Sequence, residues 1–228
     1  SLTDACTSNC GYCAIPERAS PAMDTARLLD LLTELRAAGT CRVGLWGGEP
    51  LLQDDLGLLI AHAKKLGLWV SVVSNGDLVP SRIDQIRGLD HLLLSLDGAQ
   101  DAHDAQRAPG SHRRVLAALS AAKTAQIPTW TLSVMTARSL PDVPYLVDLA
   151  QSRGHRAAFQ VLHHAEALDG GLGQDLHPAA DALRDMLLWL RRSKKAGRPI
   201  ANSVWQLDQL LAWPQLDQPA PVHDPASP

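Results

Sequence analysis

Residues 41–76, with the sequence CRVGLWGGEPLLQDDLGLLIAHAKKLGLWVSVVSNG, contain a complete strand–helix–strand unit. Cys41–Trp46 predicts a short strand, Asp54–Leu66 a helix with its leucine and alanine side chains on one side, and Trp69–Val73 a second strand. The strands are nearly continuous apolar runs, as in a parallel sheet that is covered on both faces. This stretch therefore predicts an α/β fold with parallel strands.

The same alternation extends to both sides of this unit. Before it, the stretch from Asp24 to Gly39 predicts a helix, and Ser1–Thr3 is typical of the end of a strand. After it come three more strands, at 91–96, 130–135 and 157–162, with helices that begin near residues 81, 111 and 141. Six such units are fewer than the eight of a closed barrel. An open barrel and a doubly wound sheet both fit, and in both the functional groups lie at the C-terminal ends of the strands.

The pattern changes after Leu162, which indicates three regions. Residues 1–165 form the repeated α/β core, 166–214 a helical extension, and 215–228 a proline-rich polar tail or linker. The extension holds two predicted helices, from about Pro178 to Lys195 and from Asn202 or Ser203 to Trp213.

The overall composition excludes several classes of protein. The net charge of −3 gives no reason to expect binding to nucleic acid or to an anionic membrane. No apolar run reaches the roughly 18 residues of a membrane span, and no secretory signal is visible. Clustered cysteines without a distributed framework argue against a secreted disulfide domain. We therefore expect a cytoplasmic protein.

Three of the four cysteines, Cys6, Cys10 and Cys13, lie in one short stretch after the predicted first strand. Three thiolates can hold three irons of a four-iron cluster, because soft sulfur ligands suit iron–sulfur chemistry. One iron would then be open to an outside molecule, and Tyr12 could lie against a planar group bound nearby. The alternative is a structural zinc site, which would need a fourth ligand.

Three of the predicted strands end in glycine-rich or polar segments. Gly-Gly-Glu-Pro occupies 47–50, Ser-Asn-Gly occupies 74–76, and Ser-Leu-Asp-Gly occupies 95–98. Each segment alone is typical of an ordinary turn. Because the C-terminal ends of parallel strands meet at one face, we expect these segments to surround the cysteine loop.

In this order and spacing, the motifs resemble those of radical S-adenosylmethionine (SAM) enzymes over about residues 1–165. The segment His103-Asp104-x-x-Arg107 resembles the peptide-modifying (SPASM/twitch-type) and molybdopterin-precursor branches of that superfamily. The resemblance implies a partial (β/α)6 barrel, an open TIM-like arrangement of parallel strands with C-terminal helices. It also implies an enzyme.

The resemblance assigns roles to individual residues. Cys6, Cys10 and Cys13 would hold a [4Fe–4S] cluster, and the open iron would be chelated by the methionine end of SAM. The other implied SAM-binding residues are Gly47, Gly48 and Glu49 near the amino group, Ser95 and Arg107 at the carboxylate, Ser74 and Asp97 at the ribose hydroxyls or amino group, and Tyr12 and the backbone near Leu162 at the adenine. Arginine suits a carboxylate because its fork can donate two hydrogen bonds.

The implied reaction begins with one electron from the reduced cluster, which cleaves SAM. The resulting 5′-deoxyadenosyl radical abstracts hydrogen from a peptide or small-molecule substrate, and the electron comes from a flavodoxin- or ferredoxin-like donor. No protein general base is assigned. The alternative function is a non-catalytic iron–sulfur electron-transfer or metal-binding protein, which would need no SAM pocket.

The chain departs from the family pattern at two places. Thr7 stands where many relatives carry Asn, and no cysteine group follows Cys41, although SPASM/twitch relatives bind auxiliary clusters in a C-terminal extension. Residues 198–203 resemble a segment that precedes a further cysteine region in some relatives. We therefore expect that this chain is clipped before such a region or lacks it naturally.

Overall fold

The computed structural model describes residues 2–18, 23–162 and 174–213. Within them, five strands form one sheet in the order β1 to β5, and all neighbouring strands are parallel. The strands are β1 (Arg42–Leu45), β2 (Trp69–Ser74), β3 (His91–Ser95), β4 (Thr129–Met135) and β5 (Arg156–Val161). The α-helices are α1 (Thr25–Ala37), α2 (Leu56–Lys65), α3 (Gln100–Gln106), α4 (Ser111–Thr124), α5 (Val143–Arg153), α6 (Ala180–Lys195) and α7 (Val204–Ala212). Short 3-10 helices span Ile15–Arg18, Pro50–Leu52, Ile83–Ile86, Leu140–Asp142 and Gln174–Leu176.

The strand order decides between the two sheets that the sequence allowed. Consecutive strands are neighbours throughout, without the reversal that marks a doubly wound sheet. Because parallel crossovers are right-handed, this order places the connecting helices on one side of the sheet, as in a TIM barrel. The predicted open TIM-like barrel is confirmed, and the doubly wound alternative is wrong.

Both edges of the sheet are extended by a few main-chain contacts. The predicted first strand is represented by Leu2, whose N–H donates to the Trp46 carbonyl at 2.8 Å, and by Thr3, whose carbonyl accepts from Gly48 at 2.7 Å. At the other edge, Ile200 forms an isolated parallel bridge with Ala157. The second edge contact ties the segment before α7 to the barrel.

The core lies between the strands and the surrounding helices. Side chains alternate along each strand, so that β2 buries Val70, Val72 and Ser74 and leaves the intervening residues half-buried. The buried strand residues pack with the apolar sides of the helices in one continuous cluster. Leucine periodicity marked part of these helix faces, since Leu28, Leu32 and Leu59 are buried whereas Leu58 is 52% exposed.

A row of aromatic rings in tilted and edge-on contact, with an arginine over the ring at each end, lies near the N-terminal strand ends. We call this row the floor: Arg42, Trp69, His91, Trp130 and Arg156. The Arg42 guanidinium lies 5.0 Å from the Trp69 ring centroid, and that of Arg156 lies 5.8 Å from the Trp130 ring. The His91 ring is 5.9 Å from Trp69 and 4.5 Å from Trp130. The floor therefore links all five strands at the end remote from the cysteine loop.

The helix ends follow the predicted signals closely. Asp24 caps α1 by accepting from the Arg27 N–H at 3.3 Å, and Ser203 caps α7 by accepting from the Gln206 N–H at 3.0 Å. The predicted helix at 81–87 is only a short 3-10 helix, Ile83–Ile86. No helix was predicted at α3, because its segment QDAHDAQ has no apolar periodicity.

Some predictions fall on other parts of the chain. The predicted tail at 215–228 and most of the predicted loop at 163–176 lie outside the described residues. Among the described helices, none combines the length and hydropathy needed to cross a bilayer.

Candidate active site

A cavity of about 350 Å³ opens at the C-terminal ends of the strands. The predicted site residues that line it are Cys6, Cys10, Tyr12, Cys13, Gly47, Gly48, Ser74, Ser95 and Arg107. They come from the cysteine loop and from the segments after β1, β2 and β3, which the fold brings to one place as expected. Glu49, Asp97 and Leu162 are absent from the lining.

Gly48 lets the cysteine segment dock onto the end of β1. A Cβ at this position would lie 2.1 Å from the Ala5 carbonyl oxygen and 2.6 Å from that of Asp4, so that no larger residue fits. The Glu49 N–H donates to the Ala5 carbonyl at 2.8 Å. Glycine is thus required at position 48 because the backbone of Asp4 and Ala5 occupies the space that a side chain would need.

Glu49 is fully buried and joins the ends of β1 and β2. Its Oε1 accepts from the Leu51 N–H at 3.1 Å and from the Ser74 hydroxyl at 2.9 Å, while its Oε2 accepts from the Asn75 N–H at 2.8 Å. Burial raises the pKa of this carboxyl, and the three hydrogen bonds counteract the increase. Glu49 therefore braces the turn between the two strands.

Asn75 holds the cysteine loop, a role that the sequence analysis did not assign. Its Nδ2 lies 2.8 Å from the Thr7 hydroxyl, 3.2 Å from the Ser8 hydroxyl and 3.7 Å from the Cys6 sulfur. The Ser-Asn-Gly motif at the end of β2 was the signal in the sequence that could have pointed to Asn75. Thr7 accepts one of these hydrogen bonds, so its difference from many relatives leaves the loop anchored.

Asp97 is the centre of a buried hydrogen-bond network. Its Oδ2 accepts from the Arg107 Nε at 2.6 Å, the Tyr12 hydroxyl at 2.9 Å and the Gln106 Nε2 at 2.8 Å. Its Oδ1 accepts from the Arg107 Nη2 at 3.2 Å and from the Val134 N–H at 2.9 Å. The side chain has no exposed surface. The structure therefore places Asp97 behind Arg107, outside the lining of the cavity.

The charge pair with Arg107 also decides the protonation state of Asp97. Burial raises the pKa of the carboxyl, but the guanidinium charge and the hydrogen bonds outweigh burial and leave the pKa below its usual value. Asp97 is thus ionised, and Arg107, whose pKa is raised by the same carboxylate, is cationic.

Arg107 reaches from behind the cavity to the cysteine loop. Its Nη2 donates to the Tyr12 hydroxyl at 2.7 Å, and its Nη1 lies 3.7 Å from the Cys10 sulfur. The contacts described use four of the five N–H groups of the guanidinium, so one remains for a further acceptor. Tyr12 is fixed by its hydroxyl, while its ring forms part of the cavity wall.

His103 and Asp104 support this network from α3. The buried His103 ring accepts the Asp97 N–H at its Nδ1 at 3.1 Å, and burial lowers the pKa of His103 to about 4. Asp104 accepts from the N–H groups of Gly110 and His112, both at 2.8 Å, and so organises the start of α4. The whole segment from His103 to Arg107 thus serves to place Asp97 and Arg107.

The far side of the cavity is lined from the ends of β5 and β1. Leu162 is buried and does not line the cavity, whereas the exposed Gln160, near the end of β5, does. Trp46, which is 53% exposed, lines it at the end of β1. Gln160 lies on β5, which ends at Val161. Leu162 therefore lies beyond the regular strand, whose alternation would otherwise place it on the same face as Gln160.

The three clustered thiols are free and half-buried around the cavity. Burial raises the pKa of Cys6, and it raises the pKa of Cys10 to about 11 against the opposing effect of Arg107. In the described part of the chain, no three His, Cys, Asp or Glu side chains gather at a point that could hold a single metal ion. The thiols stand around a shared space instead.

These residues fit an iron–sulfur cluster. The donor set is three soft sulfurs, and N–H groups from Ser8, Asn75 and Arg107 point at two of them. Hydrogen bonds to sulfur and a neighbouring cation are the surroundings that stabilise thiolate ligands and an anionic cluster.

Comparison with known proteins agrees with this geometry. The family model described as the radical SAM superfamily matches residues 1–139. The chain belongs to the radical SAM superfamily. Members of the superfamily use a [4Fe–4S] cluster and SAM, and the resemblance seen in the sequence is thereby confirmed.

Curated radical SAM relatives include two PqqA peptide cyclases. That of Streptomyces rochei is 33% identical over 161 residues, which cover 67% of this chain and 44% of the relative. That of Gluconobacter oxydans (strain 621H) is 28% identical over 195 residues, which cover 81% of this chain and 54% of the relative. The chain thus spans about half the length of the curated relatives it matches.

Two solved structures share the fold. One is native anSMEcpe with bound AdoMet and Kp18Cys peptide, with a TM-score of 0.70 and 15% identity over 87% of this chain and 61% of that chain. The other is Streptococcus suis SuiB bound to S-adenosylmethionine, with a TM-score of 0.74 and 15% identity over 87% of this chain and 48% of that chain. At this identity the likeness supports the fold of the radical SAM barrel alone.

Proposed function

We propose that this chain is a radical SAM enzyme that binds a [4Fe–4S] cluster through Cys6, Cys10 and Cys13 and binds SAM beside it. The observation that carries the proposal is the single cavity at the strand ends, lined by all three thiols together with Arg107 and the glycine turn. A protein that only transfers electrons needs the thiols but has no use for the rest of this lining.

The cluster would supply the electron that cleaves SAM into a 5′-deoxyadenosyl radical, which takes hydrogen from the substrate. The chain's own groups hold SAM and keep water away. Gly47 and Gly48 present backbone to the amino group, Ser74 and Ser95 offer hydroxyls, and Arg107 offers its remaining N–H to the carboxylate. Glu49 and Asp97 act through their neighbours, and the Tyr12 ring flanks the adenine together with the chain between Gln160 and Leu162.

The substrate of this proposed enzyme is a peptide. The curated relatives are named PqqA peptide cyclases, and a peptide is named in the anSMEcpe structure. A flavodoxin- or ferredoxin-like protein of the cytoplasm would deliver the electron. We retain the division into a core at 1–165, a helical extension at 166–214 and a tail at 215–228 as part of the proposal.

The test is SAM cleavage by the reconstituted protein. The chain is loaded anaerobically with iron and sulfide, reduced with dithionite and mixed with SAM, and 5′-deoxyadenosine is quantified by chromatography. We expect 5′-deoxyadenosine from the wild type and more than a tenfold loss from Cys10→Ala, which removes one thiolate ligand.

Cys41→Ala is the matched control, because Cys41 is exposed, lies outside the cavity lining, and its sulfur donates to the Gly39 carbonyl at 3.5 Å. It should retain both the cluster and the product. Failure of a fully loaded wild type to form 5′-deoxyadenosine would contradict the proposal and favour the electron-transfer alternative.

A further inference from the structure

Arg107 contacts the sulfur of a proposed cluster ligand from a position inside the protein. Its Nη1 lies 3.7 Å from the Cys10 sulfur, and its side chain is only 9% exposed. Asn75 makes a comparable contact with Cys6, but its amide is neutral. Among the described residues, Arg107 is therefore the cation that touches the cysteine loop at a sulfur.

The guanidinium has little freedom to leave this position. Asp97 binds it along one edge, through Nε at 2.6 Å and Nη2 at 3.2 Å. The Tyr12 hydroxyl closes the arrangement, because it accepts from Nη2 at 2.7 Å and donates to Asp97 at 2.9 Å. The edge that carries Nη1 is left facing the Cys10 sulfur. We call these three side chains the arginine clamp.

Asp97 itself is fixed independently of Arg107. The Val134 N–H and the Gln106 Nε2 bind it at 2.9 and 2.8 Å. Thus the carboxylate cannot follow the arginine if the arginine moves. The Tyr12 hydroxyl is the one part of the clamp that belongs to the cysteine loop, so it couples the loop to the buried pair.

Hydrogen bonds to cluster sulfurs and nearby charge set the reduction potential of iron–sulfur clusters. Reduction adds one electron and hence one negative charge to the cluster. A fixed N–H group and a cationic guanidinium at one ligand sulfur stabilise that extra charge, whereas the Asp97 carboxylate lies on the far edge of the guanidinium. The clamp therefore favours the reduced cluster.

We propose that the Tyr12 hydroxyl and Asp97 are positioning residues that hold Arg107 against the Cys10 sulfur and so raise the reduction potential of the cluster. The inference rests on the proposed cluster site and is independent of SAM. The electron comes from the added reductant, and no covalent bond is formed or broken in the step.

The test is a reductive titration of the loaded protein without SAM, followed by electron paramagnetic resonance. Tyr12→Phe keeps the ring and every charge but removes the hydroxyl, and Arg107→Lys keeps the charge but removes the fork. We expect the equilibrium constant for one-electron reduction to fall about threefold in Tyr12→Phe and about tenfold in Arg107→Lys, the latter equal to 59 mV.

Each variant has a matched control elsewhere in the chain. Tyr145→Phe removes the other tyrosine hydroxyl, which contacts His112 at 3.2 Å. Arg114→Lys alters another arginine that pairs with an aspartate at 2.6 Å, here Asp77. Neither residue lines the cavity, so both controls should titrate like the wild type.

Unchanged potentials in Tyr12→Phe and Arg107→Lys, at wild-type iron content, would overturn the inference. If Arg107→Lys does not load, Tyr12→Phe decides alone, because removing one hydroxyl leaves the sulfur ligands and the buried ion pair in place. A lowered potential in a protein that does not cleave SAM would refute the proposed function and leave this inference standing. SAM cleavage by the wild type together with unchanged potentials in the variants would refute only the role of the arginine clamp.

Discussion

Single residues at this site are determined by contacts within the chain as much as by the expected ligand. Gly48 was predicted to give SAM access to the backbone, yet its hydrogen atom faces the carbonyl groups of Asp4 and Ala5. Glu49 and Asp97 were included among the cofactor residues, but both are buried and fully hydrogen-bonded to protein groups. Polar residues that follow parallel strands can therefore hold other protein groups in place, as well as line the cavity where a ligand would bind.

Gly48→Ala should release the cysteine segment from the sheet. Its methyl group would overlap the Ala5 carbonyl, so the segment must shift, and we expect a loss of about 3 kcal/mol or more in unfolding free energy. Iron content after anaerobic loading should fall with it. Urea unfolding and iron analysis measure the two effects.

Gly44→Ala in β1 is the matched control. A Cβ there would meet the Ser71 hydroxyl oxygen at 3.5 Å, which is an ordinary contact. Its stability and iron content should stay near wild type. Equal behaviour of the two alanine variants would show that the close approach at Gly48 relaxes easily.

At the scale of elements, α3 supports the site from behind the cavity. None of its residues lines the cavity, whereas Arg107, which directly follows it, does. The helix supplies His103 to the Asp97 backbone and Gln106 to the Asp97 side chain, and Arg107 comes directly after its last turn. A short polar helix of this kind has no periodic signal, because its interior contacts are hydrogen bonds. Its position is fixed by the buried carboxylate that it surrounds.

The neutral state of His103 makes part of the stability depend on pH. Its pKa falls from 6.5 to about 4 mainly through burial, with Arg107 and His112 acting in the same direction and Asp97 and Asp104 against it. Between these two values the unfolded chain binds more protons, so the folded state loses stability as the pH falls. From pH 7 to pH 5 we expect His103 to account for about 2 kcal/mol.

His103→Asn checks this effect, since an amide oxygen can replace Nδ1 as the acceptor for Asp97 without titrating. Urea unfolding of the metal-free chain at pH 7 and pH 5 should show a smaller pH-dependent loss in the variant than in the wild type. The two proteins differ at this one side chain, so the difference between their losses reports on position 103. Identical losses would mean that His103 takes up a proton in the folded chain.

At the scale of the molecule, the barrel has two unlike ends. The C-terminal strand ends surround a cavity that is lined by thiols and hydroxyls and backed by a buried ion pair. The N-terminal strand ends are joined by the ring and arginine contacts of the floor. This division is the usual one for parallel barrels, in which one end carries function and the other stability. The floor couples strands that are distant along the chain.

Trp130→Ala should therefore weaken the fold as a whole. It removes the His91 and Arg156 contacts at once, and we expect a loss of about 3 kcal/mol in unfolding free energy. Trp205→Ala, at a position 71% exposed, should cost less than about 0.5 kcal/mol. Chemical unfolding measures both. A loss of similar size in the two variants would remove the special role of the floor.

The sequence by itself determined the α/β class, the helix cap at Asp24, a cap at Asn202 or Ser203, and the ligand motif of three cysteines. These features depend on local periodicity, on side chains that cap their own helix, and on short spacing along the chain. The convergence of the strand-end motifs was also predictable, because parallel strands place their C-terminal ends at one face.

Only the tertiary structure decided between the barrel and the doubly wound sheet, since periodicity carries no information on strand order. The tertiary structure also showed that three predicted residues lie outside the cavity lining: Asp97, Glu49 and Leu162. It placed Asn75 against the cysteine loop and Gln160 in the cavity lining. Which of several polar groups faces a cavity depends on partners far away in sequence, such as Arg107 for Asp97 at ten residues and Tyr12 at eighty-five. Such long-range pairing leaves no local pattern to read.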